Sequence, residues 1–435
     1  MKKLNVTVIH DAPLKDHRGS EKPDACVEHV ATALSNHGHR VTPYAVPDDA
    51  RGFIDGVMDT RPDLVFNLVE SFGNNMTMDM HVGALLELMA VPFTGADPGG
   101  LFMAQDKVLT KKLLQYHGVK YPQFLTFASD RIETGGNIRY PLFVKPARAD
   151  ASLGITEASL VTDFKSLIER VHYVHETFGG TALAEEYIEG REYYVSVIGH
   201  LNPRPLSLVE MDFSGLPPHV PPVASYDAKW NARTRAYKGT KAVIATDLSS
   251  ELAARVQAAA REAYLALQAR DYGRVDVRVT PGGDVYVIEV NPNPYLARDA
   301  ELAMAAEHSG IPYDDLIRQI VEFAWKRRRE RREGMLPAQP QVAVHRKDPA
   351  DKDRPAEKAA EKAEKVAEKA AEKAAEKAEK VAEKAEKVAE KAAERAAEKA
   401  EKVAEKAAEK VAEKAAEKVA EKAAEKAAEE TLSKA

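Results

Sequence analysis

GRVDVRVTPGGDVYVIEVNPNP, residues 273–294, has the pattern of a β-hairpin that carries acids. Val275, Val277 and Val279 alternate with polar residues, which is the period of a strand with two different faces. Residues 281–284, Pro-Gly-Gly-Asp, are typical of a turn, and a second apolar run follows them. The stretch therefore predicts two neighbouring strands joined by a tight connection.

Three oxygen-bearing side chains share one face of this predicted hairpin. Asp276 and Glu289 lie on neighbouring strands, and Asn291 follows Glu289 two residues later, on the same face. Two carboxylates and an amide oxygen suit Mg²⁺, which prefers oxygen ligands and keeps substrate phosphates as partners. Because acidic alternation is also common on solvated strands, the hairpin alone leaves both a metal site and an ordinary charged face open.

Five further motifs accompany the last part of the hairpin, IEVNPNP, in a fixed order along the chain. They are VPFTGADPGGLFMAQDKVLTKKLL from residue 91, PLFVKPARADASLGI from 141, AEEYIEGREYYVSV from 184, YDAKW from 226 and YGRVDV from 272. With these motifs, residues 4–325 resemble the ATP-grasp enzymes, and more closely the D-alanine–D-alanine ligases. The resemblance implies ATP and Mg²⁺ or Mn²⁺ as cofactors, with Asp276, Glu289 and Asn291 as metal ligands.

The expected architecture is an α/β fold, an ATP-grasp unit preceded by a Rossmann-like domain. Residues 1–100 alternate strand and helix patterns, which predicts a parallel sheet with crossover helices. The resemblance makes this the substrate domain, whose first loop would hold an amine through Glu21 or Asp24. It places the first ATP-grasp subdomain at residues 101–185, and the second, with the Mg²⁺ and ATP site, at 186–330.

The resemblance also implies which residues bind the phosphates of ATP. Lys107 opens a helix and Lys145 ends a strand, and both match phosphate lysines of the family. Residues 147–155 form a small-residue loop in which Ser152 occupies a matched position, and such loops let backbone N–H groups approach phosphate oxygens. Either lysine alone would be interpreted as a solvated surface residue.

The predicted hinge between the two grasp subdomains spans residues 184–192. By resemblance, the backbone around Glu185, Glu186 and Ile188 bonds the adenine edge. Glu192 would accept hydrogen bonds from the ribose hydroxyls, a task that suits a carboxylate.

Two residues would act on the reacting groups. Lys229, in the YDAKW motif, would reach the γ-phosphate of ATP, and Arg274 would steady the oxyanion of the tetrahedral intermediate. The matching activity is ATP-dependent ligation of a carboxylate to an amine through an acyl phosphate.

The amino-acid half of the resemblance is weaker than the nucleotide half. Tyr295 stands where the ligases have a glycine, and Ala300 and Glu301 stand where they have the Ser-Leu pair that grips the second D-alanine. Arg298 is a candidate for gripping a carboxylate instead. Two alternatives stay open: a ligase for another amino acid or peptide, and a nucleotide-binding scaffold whose tail binds a partner.

Composition sets further limits on these hypotheses. The chain has 435 residues, a formal charge of −6 and one cysteine, Cys26, which excludes an internal disulfide framework. We expect a cytoplasmic protein with no membrane segment, no nucleic-acid partner and small-molecule substrates, and a homodimer is left open. Residues 331–355 read as a linker, and residues 356–435 repeat Ala, Glu and Lys, which predicts a long solvated helix whose partner the sequence does not identify.

Overall fold

The structure, a computed structural model, describes residues 2–12, 24–73, 75–128, 132–134, 138–149, 152–217 and 220–332. The predicted tail, and nearly all of the predicted linker, lie outside these residues. Three sheets organise the described part: one of three strands and two of five. In that part, no helix is both long enough and apolar enough to cross a membrane.

The N-terminal part is the predicted parallel sheet with crossover helices. Its elements are β1 (Asn5–His10), α1 (Ala25–Asn36), β2 (Arg40–Ala45), α2 (Ala50–Asp59), β3 (Leu64–Asn67) and α3 (Asp79–Leu88). The central strand β1 pairs in parallel with both β2 and β3. Asp24 caps α1 by accepting from the Cys26 N–H, and Gly38 ends this helical segment with a φ of 79°.

The sequence of residues 91–95, Val-Pro-Phe-Thr-Gly, predicts a short strand that leads into a turn, but the structure forms only a single parallel bridge there, between Val65 and Phe93. Its pairing with β3 stops at Thr94, whose N–H donates to the Val65 carbonyl. Gly95 then takes a φ of 88° and turns the chain away from the sheet. The prediction of a strand here was wrong because the turn begins before a second pair can form.

The part predicted as the first grasp subdomain is an antiparallel sheet covered by helices. Its elements are α4 (Pro98–Gln105), α5 (Lys107–Tyr116), β4 (Phe124–Phe127), β5 (Ile132–Thr134), β6 (Leu142–Pro146), β7 (Leu160–Val161), α6 (Phe164–Phe178) and β8 (Ala182–Glu186). The strand order is β5-β4-β8-β6-β7. Leu167, Val171 and Val174 of α6 pack with Val144 of β6, so one helix face covers the sheet.

The part predicted as the second grasp subdomain contains the hairpin. Its elements are β9 (Arg191–Gly199), β10 (Arg204–Asp212), α7 (Tyr226–Trp230), α8 (Arg235–Gly239), β11 (Lys241–Ile244), α9 (Ser250–Ala266), β12 (Asp271–Val279), β13 (Val285–Pro292), α10 (Glu301–His308) and α11 (Tyr313–Arg332). The strand order is β11-β10-β9-β12-β13, so β12 lies between β9 and its hairpin partner β13. The amphipathic pattern of residues 251–270 predicts a helix over that range, but α9 ends earlier, at Ala266, because Gln268 and Asp271 take φ values of 52° and 66° that turn the chain into β12.

A buried charge network joins the N-terminal part to the second grasp subdomain. Asp271 is fully buried, forms an ion pair with Arg327 of α11, and accepts from the Gly95 N–H at 2.8 Å. Arg270 donates to the Gly95 carbonyl at 2.8 Å and pairs with Asp97 at 3.1 Å. The turn after residue 94 is therefore held against the sheet that carries the hairpin.

Candidate active site

The hairpin brings the two predicted metal carboxylates together. Asp276 on β12 lies directly opposite Glu289 on β13, and Arg274 lies opposite Asn291. The pairing shifts register after Asp276, which is a bulge in β13 next to the acidic pair. Asp276 is only 5% exposed, so this polar face is covered rather than solvated. The interpretation as an ordinary exposed face is therefore wrong.

Glu289 is neutralised by the lysine at the start of α5. Asp106 caps this helix and places Lys107 so that its Nζ is 2.7 Å from Glu289 Oε1 and 2.6 Å from the Ala149 carbonyl. Burial by itself would raise the pKa of Glu289, but the charges of Lys107 and Lys145 outweigh it and lower that pKa to about 2. Glu289 is therefore an anion at neutral pH.

Asp276 is held by the predicted oxyanion residue. Arg274 donates from Nε to Oδ1 at 2.7 Å and from Nη2 to Oδ2 at 3.0 Å. The guanidinium also lies 4.2 Å from the ring centre of Tyr194, and its Nη1 is 3.8 Å from Glu301 Oε2. Burial raises the pKa of Asp276, although the Arg274 charge opposes that shift. Arg274 thus occupies both oxygens of the Asp276 carboxylate and balances its charge in this structure.

Lys145 belongs to a buried triad that includes a lysine the sequence analysis missed. Lys145 Nζ is 2.6 Å from Glu185 Oε1, and Lys111 Nζ is 2.7 Å from Glu185 Oε2. Burial favours a raised pKa for Glu185, but the two lysines lower it overall. Lys111 follows Lys107 by four residues, the spacing of neighbours on one helix face, and that spacing was the available signal.

The hinge carboxylates are held by arginines. Glu186 accepts from the Arg139 N–H at 3.0 Å. Glu192 accepts from Arg278 at 3.0 and 2.8 Å, and Arg278 also donates to the Ile188 carbonyl at 3.0 Å. Arg278, which the sequence analysis gave no role, thus ties the predicted ribose residue Glu192 to Ile188 of the predicted adenine segment.

The two predicted phosphate loops contact each other. Ser152 donates its hydroxyl to the Ala224 carbonyl at 2.8 Å, and the Tyr226 N–H donates to the Ile155 carbonyl at 3.3 Å. Lys229, on α7 just beyond this contact, has its Nζ 5.6 Å from the ring centre of Tyr194. The lysine-bearing segment therefore lies over the small-residue loop.

One pocket collects most of the predicted residues. Nine of the twelve line it, namely Lys145, Ser152, Glu185, Glu186, Ile188, Glu192, Lys229, Asp276 and Glu289. The other three contact this set or each other: Lys107 bonds Glu289, Arg274 bonds Asp276, and Asn291 lies 3.5 Å from the Arg274 carbonyl. Phe143, Val223 and Ile288 supply apolar walls. A pocket with an apolar part and a few convergent charges is typical of a ligand site.

The residues that depart from the family pattern lie towards the N-terminal part. The Tyr295 hydroxyl donates to Asp24 at 2.6 Å, at the start of α1. Arg298 pairs with Asp314 at 2.6 Å and stacks on Tyr313, so it does not line the pocket described above. Glu21, the other candidate for holding an amine, lies outside the described residues.

Comparisons with known proteins identify the family to which the chain is similar. Residues 113–322 match the family model described as D-ala D-ala ligase C-terminus. The chain is 33% identical over 264 residues to an uncharacterized protein, y4sG, of Sinorhizobium fredii, covering 61% of this chain and 75% of that one. It is 32% identical over 252 residues to a D-alanine–D-alanine ligase of a Marinomonas species, covering 57% and 74%.

A solved structure shows the same fold. The D-alanine–D-alanine ligase of Bacillus anthracis, in complex with ATP, aligns with a TM-score of 0.59 at 22% identity, covering 75% of this chain and 99% of that one. The fold is that of the ATP-grasp enzymes. Within that class, the chain belongs to the D-alanine–D-alanine ligase family, whose members are ATP-dependent ligases that form C–N bonds.

Proposed function

We propose that this protein ligates a carboxylate to an amine with ATP, which it binds with magnesium in the pocket lined by Lys145, Lys229 and Glu289. A carboxylate oxygen of the first substrate attacks the γ-phosphorus and ADP leaves. The amine nitrogen of the second then attacks the acyl carbon, phosphate leaves and the nitrogen loses a proton. The observation that carries the proposal is the convergence of nine predicted residues on this one pocket.

The donor set fits Mg²⁺ or Mn²⁺ with phosphates as further ligands. Asp276 and Glu289 face each other across the hairpin, and Asn291 supplies an amide oxygen on the same strand as Glu289. Among the described residues, no group of three or more His, Cys, Asp or Glu side chains could hold a metal alone. Two carboxylates and one amide oxygen are too few to fill the coordination shell of Mg²⁺, which is usually completed by water and by the phosphates of the substrate. When bound, the metal would neutralise charge on the triphosphate.

The side chains of the pocket perform positioning and charge neutralisation. Lys107 and Lys145 hold fixed positive charge beside the proposed phosphates, since each is buried and anchored to a glutamate. Lys229 adds a charge from the segment over the small-residue loop. Arg274 lies next to the acidic pair, where it could donate to an oxyanion once Asp276 takes a metal. Phosphoryl transfer is accelerated mainly by such electrostatic arrangement.

We also propose that D-alanine is not the preferred second substrate. Ala300 has no side-chain donor for a carboxylate, and Arg298 is engaged with Asp314. Glu301 instead brings a carboxylate within 3.8 Å of Arg274. An unpaired substrate carboxylate here would cost on the order of 1–3 kcal/mol. This makes an amine without a carboxylate in that position the better acceptor.

Phosphate release with ATP and Mg²⁺, measured against a panel of D- and L-amino acids, dipeptides and amines that lack a carboxylate, tests the proposal. We expect release that depends on an amine other than D-alanine. Asp276→Asn and Glu289→Gln should each lower turnover on the order of a hundredfold or more while circular dichroism stays unchanged. Full turnover in both variants would contradict the metal assignment, and efficient dipeptide formation from D-alanine alone would contradict the acceptor assignment.

A nucleotide-binding scaffold without chemistry is the second candidate, and one observation favours it. Arg274 and Lys107 already neutralise Asp276 and Glu289, so the acidic pair is stable without a metal. ATP binding with no amine-dependent turnover on any member of the panel would select this candidate.

A further inference from the structure

Arg278 is a buried cation in the wall of the nucleotide pocket. It is 4% exposed and lies on β12 directly opposite Glu192 on β9. Both residues line the pocket, together with Tyr187 and Ile188 of the hinge. A buried guanidinium is retained only where its donors are satisfied, so its partners indicate what it holds in place.

Those partners come from three separate segments of the chain. Nε and Nη2 donate to the same oxygen of Glu192, Oε2, at 3.0 and 2.8 Å. Nη1 donates to the Ile188 carbonyl at 3.0 Å, and Nη2 also donates to the Pro222 carbonyl. The guanidinium further lies 4.9 Å from the ring centre of Tyr187. Arg278 therefore connects the hinge, the start of strand β9 and the segment that leads to α7.

The geometry has a consequence for the Glu192 carboxylate. Because both donations to Glu192 end on Oε2, the other carboxylate oxygen takes no part in this contact. A planar guanidinium bonded on several sides fixes the orientation of a carboxylate in a way that a lysine ammonium cannot. Without Arg278, Glu192 would be a partly buried anion with neither its charge partner nor a fixed rotamer.

We propose that Arg278 is a positioning residue for nucleotide binding, which holds Glu192 so that its second oxygen accepts from the ribose hydroxyls. The inference rests on the proposed function, since it assumes that the pocket takes ATP. It adds that ribose recognition depends on the cross-strand pair rather than on Glu192 alone. Lysine at this position could satisfy only part of the set of three acceptors.

The test compares two nucleotides on variants of the full chain. Binding of magnesium ATP and of magnesium 2′,3′-dideoxy-ATP is measured by calorimetry for wild type, Arg278→Met and Arg278→Lys. We expect Arg278→Met to weaken ATP binding about tenfold or more, with an intermediate loss for Arg278→Lys. Dideoxy-ATP lacks the hydroxyls, so its affinity should change far less in the same variants.

Arg191→Met is the matched control. Arg191 lies on β9 beside Glu192, pairs with Glu210 and with Asp247 at 2.8 Å, and does not line the pocket. Its loss should leave both nucleotide affinities within about twofold. In the double variant, Arg278→Met should add little to the loss of ATP affinity caused by Glu192→Gln, because each substitution removes the same contact between Arg278 and Glu192.

Three outcomes would count against specific claims. Equal losses for the two nucleotides would overturn the ribose role of Arg278. Unchanged ATP affinity in Arg278→Met would show that Arg278 does not position Glu192 for the nucleotide and would overturn the inference. Absence of ATP binding by the wild type would contradict the proposed function itself. If Arg278→Met does not fold, Arg278→Lys and Glu192→Gln carry the same comparison.

Discussion

Paired charges, rather than single ones, determine the electrostatics of the pocket. Glu185 is the most enclosed example, with a lysine at each oxygen and a side chain that is 4% exposed. Replacing one member of a buried pair leaves an uncompensated charge, which costs about 3–5 kcal/mol. Sequence motifs singled out Lys107 and Lys145, but they did not predict that Lys111 is buried. A spacing of four residues shows that Lys107 and Lys111 share a helix face, but it does not show how far that face is from solvent.

Glu185→Gln provides a pH-dependent prediction. Because the two lysines hold the pKa of Glu185 below its usual 4.5, the charged form stabilises the fold fully above that value. As the pH falls from 4.5 through the lower pKa of the folded state, the glutamate takes up a proton and this contribution is lost. We therefore expect the difference in unfolding free energy between wild type and Glu185→Gln to be about 3 kcal/mol or more at pH 7.

That difference should shrink below pH 4.5, and urea unfolding across pH 3.5 to 7 measures it. Glu169→Gln is the control, since Glu169 forms only a surface pair with Lys165 at 3.7 Å. A difference between wild type and Glu185→Gln that stays constant across the whole range would contradict the assigned ionisation.

The hairpin is the element whose structure follows most directly from its sequence. Alternating valines and a Pro-Gly-Gly turn predicted both strands and placed Asp276 and Glu289 on neighbouring ones, which the pairing confirms. The bulge after Asp276 was not predictable, because two strands of this composition pair equally well in a regular register. The strand expected at residues 91–95 failed for a related reason: its boundary depends on the contacts of Gly95 with distant residues.

At the hinge, one glycine has a steric role that a substitution can test. Gly190 has a φ of 148°, and an added Cβ would overlap the Val279 carbonyl of β12. Gly190→Ala should therefore move the hinge away from β12, lower the free energy of unfolding by about 1–3 kcal/mol and weaken ATP binding.

Thermal unfolding and nucleotide calorimetry measure the two effects. Gly282→Ala, in the turn of the hairpin, is the control because its Cβ would meet only Thr280 Oγ1 at 3.8 Å, an ordinary contact. Wild-type stability and affinity in Gly190→Ala would mean that the hinge is not held by this close approach.

At the scale of the whole molecule, contacts between distant segments decide what sequence motifs cannot. The pocket is lined by residues of both predicted grasp subdomains. Its lysines and carboxylates belong to motifs that can be recognised in the sequence. The attachment of the N-terminal part rests on Asp271, Arg327 and Gly95, and of these only Gly95 lies within one of the sequence motifs. Residue types alone gave no reason to pair Asp271 with an arginine 56 positions later.

Asp271→Asn tests whether this network holds the N-terminal part in place. Asparagine tolerates the φ of 66° at this position and can still accept from the Gly95 N–H, so the substitution removes mainly the charge. Arg327 and Arg270 are both buried and would then share one fewer carboxylate. We expect the unfolding free energy to fall by about 3 kcal/mol, as for a broken buried pair.

Asp55→Asn, which removes one partner of an exposed pair with Arg51, is the control and should change the unfolding free energy by less than about 1 kcal/mol. Equal stability of the two variants in urea would show that the buried network does not hold the N-terminal part to the sheet.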